Sequence, residues 1–215
     1  MERIQKIWEH PLYQDRFKKL QLAERERMFC NHTLQHFLDV ARLMWIWCLE
    51  ECIEAEAGAS YCGHGHVAAS SDGHGHVAAS SDGHGHTAAS SGQPICSGQP
   101  SVSRAGHAEL PDRPLIYAAA FLHDIGRYDQ ISEGTPHEQA GADLAGIIMP
   151  ACGFDAEETA AVQRAILGHR TFAEQPELLS SWLYRADKQS RPCYACTAAG
   201  ECNWPSEKRN LAIRF

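Results

Sequence analysis

Residues 117–130 read YAAAFLHDIGRYDQ, and this stretch joins an apolar run to a histidine–aspartate pair. The apolar run ends directly before His123 and Asp124, and Gly126 follows at the point where the chain would turn away. Imidazole and carboxylate groups are both ligands for divalent metal ions. The stretch therefore predicts a buried helix whose end presents two adjacent ligands to a single centre.

The rest of the chain predicts helices and no strand, because apolar residues recur at helical intervals and nowhere alternate convincingly with polar ones. Pro114 suits the first turn of the helix that leads to His123. Thr135 with Glu138, and Asp155 with Glu158, each have the form of a capping box. We therefore expect an all-α fold. The further segments predicted to be helical are 13–30, 33–56 and 176–191.

A tandem repeat interrupts this helical pattern. The ten-residue unit GHGHVAASSD occurs three times, with little change, between Gly63 and Gly92. Its small apolar content cannot offset the entropy of ordering the chain, so we expect a disordered low-complexity insert from about residue 57 to 112. The remainder of 1–215 is predicted to be a single domain, with a cysteine-containing tail at 192–215.

Charge and hydropathy exclude several classes of partner. The formal net charge is −8, which gives no basic field for long nucleic acid or an anionic membrane surface. The sequence lacks an apolar run long enough to span a bilayer, and its charged N-terminus lacks the apolar core of a signal peptide. We therefore expect a cytoplasmic protein. Its 9 cysteines are expected to be thiols or metal ligands rather than disulfides.

Outside the insert, several residues with ligand chemistry lie near the ends of predicted helices. Four such groups can hold one divalent ion and leave positions open for water, and six can hold two ions bridged by a carboxylate. Single histidines commonly cap helices or pack in the core, and Asp187 also has cationic neighbours with which it can pair. For His32 and His10 we expect such structural roles. The candidates are His32, His36, His123, Asp124, His137, His169 and Asp187.

The order of these residues resembles that of the HD-domain superfamily of metal-dependent phosphohydrolases. The matching segments are HFLDVARL, AFLHDIGR and LYRADKQSR, with PHEQAGADLA and AILGHR matching the extra histidines of two-metal members. The resemblance implies a helical bundle and one or two divalent ions (Mn, Fe, Mg, Co, Ni or Zn). It implies that His36, His123, Asp124 and Asp187 bind the first ion, and that His137 and His169 bind the second with Asp124 as the bridge.

The activity implied by this resemblance is hydrolysis of a nucleotide or another small phosphate ester by metal-activated water. We expect Asp124, Arg127 and Lys188 to be catalytic. Cationic side chains beside the candidate ligands can bind the phosphate group. Two alternatives remain open, an HD-type di-iron oxygenase and a non-catalytic sensor of metal or nucleotide. The expected phosphate-binding residues are Arg127, Arg170, Lys188 and Arg191.

The C-terminal tail contains Cys193, Cys196 and Cys202, a spacing that is typical of part of a structural zinc site. Cys152 or a histidine is a candidate for the fourth ligand. The alternative is that the thiols simply pack near the mouth of the active site. The tail is also similar to that of a small bacterial subgroup of HD-domain proteins.

Overall fold

The computed structural model describes residues 1–61, 110–171, 174 and 176–213, with side chains as far as Cys52 in the first range. Within these ranges the chain forms eight α-helices and three short 3-10 turns, and no strand. This confirms the predicted all-α fold. The helices are α1 Glu2–Glu9, α2 Pro11–Ala23, α3 Leu34–Tyr61, α4 Arg113–Leu122, α5 Arg127–Glu133, α6 His137–Ala151, α7 Ala156–Gly168 and α8 Leu178–Gln189.

Helix α4, which contains the apolar run of the opening stretch, is the centre of the bundle. Every residue from Ile116 to Leu122 is buried, and α4 contacts α1, α3, α6, α7 and α8. The three successive alanines, Ala118 to Ala120, have no exposed surface, and their small side chains let the surrounding helices approach closely. Burial on all sides fixes the end of α4, and so the position of His123 and Asp124, inside the protein.

The cap signals in the sequence had mixed outcomes. Asp112 caps α4 ahead of Pro114, and Asp155 forms the predicted capping box with Glu158 at the start of α7. The capping box predicted at Thr135 and Glu138 is wrong. Pro136 occupies the N-cap position there, and its side chain has no oxygen to accept a hydrogen bond from the first turn.

Two segment boundaries in the structure differ from those predicted from the sequence. The helix predicted over 13–30 ends at Ala23, and a turn leads from there to α3. The insert was expected from about residue 57 to 112, but α3 continues to Tyr61 and Asp112 already caps α4. The histidine repeat itself lies outside the described residues.

Glycines allow the turn after α4 to lie directly against α6. A Cβ atom added at Gly126 would stand 2.5 Å from the backbone nitrogen of Gly141 and 2.5 Å from the carbonyl oxygen of His137. Gly126 is therefore required for this close approach and not for an unusual backbone angle, since its φ is −76°. The contact brings the start of α6, with His137, next to the end of α4.

Candidate metal centre

Helix ends bring the six predicted ligands to one buried place. His36 projects from the first turns of α3, and His123 with Asp124 follows α4. His137 is the first residue of α6, and His169 follows the last residue of α7. Asp187 lies near the end of α8. Two groups have ligand atoms within 4.8 Å of one another: His36, His123, Asp124 and Asp187, and Asp124, His137 and His169.

One carboxylate oxygen of Asp124 faces the first group. Its Oδ2 atom lies 3.1 Å from Nε2 of His123 and 3.7 Å from Nε2 of His36. Asp187 completes the group, since its Oδ1 atom lies 3.7 Å from Nε2 of His36 and 4.0 Å from Nε2 of His123. The structure thus brings together the four ligands that the resemblance assigned to a first ion.

The other carboxylate oxygen of Asp124 faces the second group. Its Oδ1 atom lies 3.2 Å from Nε2 of His137 and 3.6 Å from Nε2 of His169. The two imidazole nitrogens are themselves 3.3 Å apart. Each carboxylate oxygen of Asp124 therefore faces a separate group of imidazole nitrogens.

Hydrogen bonds at the far side of each ring fix these imidazoles. Nδ1 of His123 donates to the carbonyl oxygen of Ala120 at 2.8 Å, and Nδ1 of His169 donates to that of Ile166 at 2.5 Å. These backbone acceptors require the proton on Nδ1, so Nε2 keeps its lone pair for the centre. A metal-binding histidine commonly has its other ring nitrogen held in this way.

Side chains perform the same task for the other two histidines. Nδ1 of His137 lies 2.7 Å from Oε1 of Gln130, and Nδ1 of His36 lies 3.3 Å from Oγ of Ser190. With Nδ1 as the donor, the rings of His137 and His36 also direct the Nε2 lone pair towards Asp124. The tautomer that suits metal binding is therefore favoured at all four rings.

Unsatisfied polar atoms show that these residues fit a cation. Among the described residues, the buried Nε2 atoms of His36 and His123 have no hydrogen-bond partner. Burial lowers the pKa of His123, against the opposing effect of Asp124, and burial lowers the pKa of His137 to about 4. A divalent ion can bind to nitrogen lone pairs that converge on a buried carboxylate, and it thereby compensates their burial.

The pKa shifts of Asp124 and His169 are also consistent with such a site. Burial alone would raise the pKa of Asp124, but the facing imidazoles, led by that of His123, hold it well below its usual value. Asp124 is therefore ionised. Burial would lower the pKa of His169, but the contact with Asp124 outweighs burial and raises it. A proton can thus take the place of a cation at Nε2 of His169.

Asp187 makes both of the contacts that the sequence suggested. Its Oδ1 atom faces the centre, whereas Oδ2 forms a very short ion pair with Nζ of Lys188. Nζ of Lys188 also donates to the carbonyl oxygen of His169 at 3.4 Å. Lys188 therefore lies beside the centre, where a cation can face a bound anion.

The predicted phosphate-binding arginines occupy different environments. Arg191 lines a cavity of about 360 Å³ together with His36 and Asp187. Nη1 of Arg127 lies 3.5 Å from Nδ1 of His137, on the side of the second group. The exposed Arg170 is paired with Glu138 at 3.2 Å. Only Arg191 among these three arginines lines the cavity.

The structure adds His32, for which the sequence analysis expected only a structural role. His32 lies in the turn between α2 and α3, and its Nε2 atom is 3.3 Å from Oδ2 of Asp124. The turn before α3 brings the ring of His32 to 5.6 Å from that of His36, between centroids. The site thus contains five histidines rather than four.

Two of the three tail cysteines line the same cavity. Cys193 and Cys196 line it together with Cys30, which comes from the turn before α3. Cys152, a candidate fourth ligand from the sequence, is instead buried in the hydrophobic core at the end of α6. That suggestion is wrong, and Cys30 is the cysteine that the fold brings to the tail.

The fold and this centre define a helical protein with a histidine–aspartate site suited to divalent ions. The sequence matches the HD domain family over residues 102–192. It is 30% identical over 207 residues to an uncharacterized protein of Clostridium beijerinckii, covering 96% of this chain and 93% of that protein. The chain belongs to the HD-domain superfamily.

A second relative is similar over a shorter stretch. The bifunctional uridylyltransferase/uridylyl-removing enzyme of Gluconobacter oxydans is 42% identical over 62 residues, which is 29% of this chain and 6% of that enzyme. No solved structure matches the chain significantly. Within the described part of the chain, no helix is long and apolar enough to cross a membrane.

Proposed function

We propose that this protein is a metal-dependent phosphohydrolase that acts on a nucleotide or another small phosphate ester. The observation that carries the proposal is the position of Asp124 between two groups of Nε2 atoms, with one carboxylate oxygen facing each group. In this proposal His36, His123, Asp124 and Asp187 hold the first ion, and His137 and His169 join Asp124 at the second.

Divalent ions in such a site activate water near neutral pH and withdraw electron density from a phosphoryl group. The protein's own residues position the reacting groups. Asp124 keeps its negative charge between the histidines because its pKa is lowered. Lys188 and Arg191, beside the centre and in the cavity wall, stabilise negative charge on the phosphate oxygens.

The cavity supports a small substrate. A volume of about 360 Å³ accommodates a compact organic phosphate, and pockets for small ligands commonly have this size. The partial similarity to an enzyme whose name includes uridylyl removal also favours a nucleotide-containing substrate. The substrate is therefore expected to bind with its phosphate at the centre and the rest of the molecule in the cavity.

The test is phosphate release from a panel of nucleotides and an aryl phosphate. The protein is stripped of metal and refilled separately with Mn²⁺, Mg²⁺, Co²⁺, Ni²⁺, Zn²⁺ or Fe²⁺. We expect release with at least one ion and none from the Asp124→Ala variant. Release that persists in this variant would show that the activity does not come from this centre.

The same panel separates the two other classes of function. A protein that binds two irons, releases no phosphate with any metal and consumes O₂ with an organic substrate is an HD-type oxygenase. A protein that binds metal or nucleotide tightly, with neither activity, is a sensor. Either result would replace the proposed hydrolysis while leaving the metal centre in place.

A further inference from the structure

His32 approaches the centre in the same way as the predicted ligands. Its Nε2 atom lies 3.3 Å from Oδ2 of Asp124, between the 3.1 Å of His123 and the 3.7 Å of His36. Neighbouring ligands around one ion at ordinary bond lengths are about 3 to 3.5 Å apart. The distance to Asp124 therefore fits a ligand position. Nε2 of His32 lies outside the first group, whose ligand atoms are all within 4.8 Å of one another, so the ring would move towards that group when an ion binds.

A buried carboxylate holds the other side of the His32 ring. Nδ1 of His32 lies 2.7 Å from Oε1 of Glu24, and the backbone nitrogen of His32 donates to Oε2 of the same residue at 2.8 Å. Glu24 is only 3% exposed. Burial would raise the pKa of Glu24, but its hydrogen bonds with His32 lower it, so the carboxylate is ionised and accepts the proton on Nδ1.

Two further contacts fix this arrangement. Nη1 of Arg27 donates to Oε1 of Glu24 at 2.6 Å, and Nε2 of Gln21 donates to the carbonyl oxygen of His32 at 2.8 Å. The ring nitrogen, backbone nitrogen and carbonyl oxygen of His32 are therefore all bound to the last turn of α2 or to Glu24 directly after it. This is far more than a histidine needs in order to pack, and it sets the direction of Nε2.

A charge conflict follows from these contacts. When Nδ1 of His32 donates its proton to Glu24, Nε2 of the neutral ring carries only a lone pair. This lone pair faces Oδ2 of Asp124, a carboxylate oxygen that also can only accept a hydrogen bond. Two buried acceptors at 3.3 Å require a positive charge between or beside them. A metal ion bound by both atoms supplies that charge.

We propose that Nε2 of His32 is a ligand of the first metal ion, with Glu24 as the positioning residue that orients its ring. The chain then forms a carboxylate–histidine–metal arrangement, the second-shell geometry usual for ligand histidines. With His32 included, five residues would hold the first ion, namely His32, His36, His123, Asp124 and Asp187. Such a site favours an ion that accepts six ligands, such as Mn²⁺ or Fe²⁺, over four-coordinate Zn²⁺.

This inference depends on the metal centre and not on the reaction, so its test requires no turnover. The unaltered protein, with isotopically labelled histidine nitrogens, is loaded with an NMR-active cadmium isotope. We expect a one-bond coupling between cadmium and Nε2 of His32, as at His36 and His123. Absence of this coupling, or a signal showing protons on both nitrogens of His32 in the loaded protein, would overturn the proposal.

Calorimetric titration with Mn²⁺ gives an independent measurement. His32→Gln is expected to weaken the first binding event by at least about 10-fold and to leave the second nearly unchanged, and Glu24→Gln is expected to weaken the same event about 10-fold or more. His10→Gln is the matched control, because His10 caps α2 away from the centre. Equal Mn²⁺ affinity in His32→Gln and His10→Gln would contradict ligation by His32.

Discussion

Oδ1 of Asp124 lies 3.2 Å from Nε2 of His137, while the other oxygen of the same carboxylate faces His123 and His36. One side chain thereby joins two groups of ligands that come from helices far apart in the sequence. Because Asp124 is buried and ionised, its charge contributes to both positions at once. Loss of this charge is therefore expected to affect both ions together.

The first prediction concerns that bridge. Asp124→Asn keeps the size of the side chain but removes its charge, so we expect the protein to retain no Mn²⁺ at this centre and to lose phosphate release by at least about 100-fold. Mn²⁺ content after gel filtration and phosphate release measure the two effects. Asp143→Asn is the control, since Asp143 is an exposed acid of α6 that contacts Gln139. Retention of both ions in Asp124→Asn would exclude the bridge.

The second prediction separates the two ions. His169 contacts Oδ1 of Asp124 but is absent from the group around Oδ2. His169→Gln is therefore expected to reduce the bound Mn²⁺ from two ions per chain to one, with the first ion bound nearly as tightly as before. Titration calorimetry measures both the number of Mn²⁺ ions bound per chain and the affinity of the first ion. Simultaneous loss of both ions would show that the two positions do not bind independently.

The candidate metal centre was predictable from the sequence because its residues lie at the ends of apolar runs. Several helices can meet where they end at the edge of the core. Histidines at these ends therefore predict a shared centre when their order along the chain is also that of a known family. His123 follows α4, an apolar helix at the centre of the bundle. The apolar pattern therefore predicted the helical fold, and the family resemblance supplied six candidate ligands, which the fold brings together.

His32 and Glu24 were not predictable in the same way. Both lie in or beside the turn after α2, where no helical period relates them to other residues. Their relation depends on a chain reversal that places the backbone nitrogen of His32 2.8 Å from Oε2 of Glu24. The proximity of Cys30 to the tail was not predictable for the same reason. Tertiary packing places the turn that contains Cys30 beside Cys193 and Cys196, which follow about 160 residues later in the sequence.

The third prediction concerns substrate binding. Arg191 lines the cavity and stacks over Trp204 at 4.8 Å, whereas Arg170 pairs with Glu138 on the surface. A charge-assisted hydrogen bond contributes about 1.5–3 kcal/mol, so Arg191→Ala is expected to raise the KM about 10-fold or more. Arg170→Ala serves as the matched control and should leave the KM nearly unchanged. A larger increase of the KM in Arg170→Ala than in Arg191→Ala, measured by steady-state kinetics, would instead indicate that the phosphate binds near Arg170.

The fourth prediction concerns the contact between α6 and the turn after α4. Ala at position 126 would place its Cβ 2.5 Å from backbone atoms of Gly141 and His137, which cannot move as a flexible side chain can. We expect Gly126→Ala to lower the free energy of unfolding by about 1–3 kcal/mol or more, because overpacking forces the backbone apart. Denaturant unfolding measures the change, with Gly200→Ala as control because nothing lies within 4 Å of its added Cβ. Equal stability of the two variants would contradict this packing.

The last prediction concerns the cysteines. The spacing of Cys193, Cys196 and Cys202 is typical of part of a structural zinc site, and the fold brings Cys30 to the same cavity wall as Cys193 and Cys196. Burial raises the pKa of Cys30, although the nearby guanidinium groups of Arg191 and Arg27 oppose the rise, so a zinc ion would further stabilise the thiolate that binds it. Among the described residues, no three of these sulphur atoms lie within 4.8 Å of one another, so zinc binding would have to draw the tail and the turn together.

Zinc analysis in the Asp124→Asn background isolates this site, because the histidine–aspartate centre is then expected to be empty. We expect about one zinc ion per chain in that background, since four thiolates are a usual ligand set for structural zinc. Adding Cys196→Ser or Cys30→Ser should remove the ion, whereas adding Cys52→Ser should not, because Cys52 lies on α3 and packs against the core. Loss with Cys196→Ser alone would exclude Cys30 as the fourth ligand. Unchanged zinc in both variants would show that the thiols only pack at the mouth of the cavity.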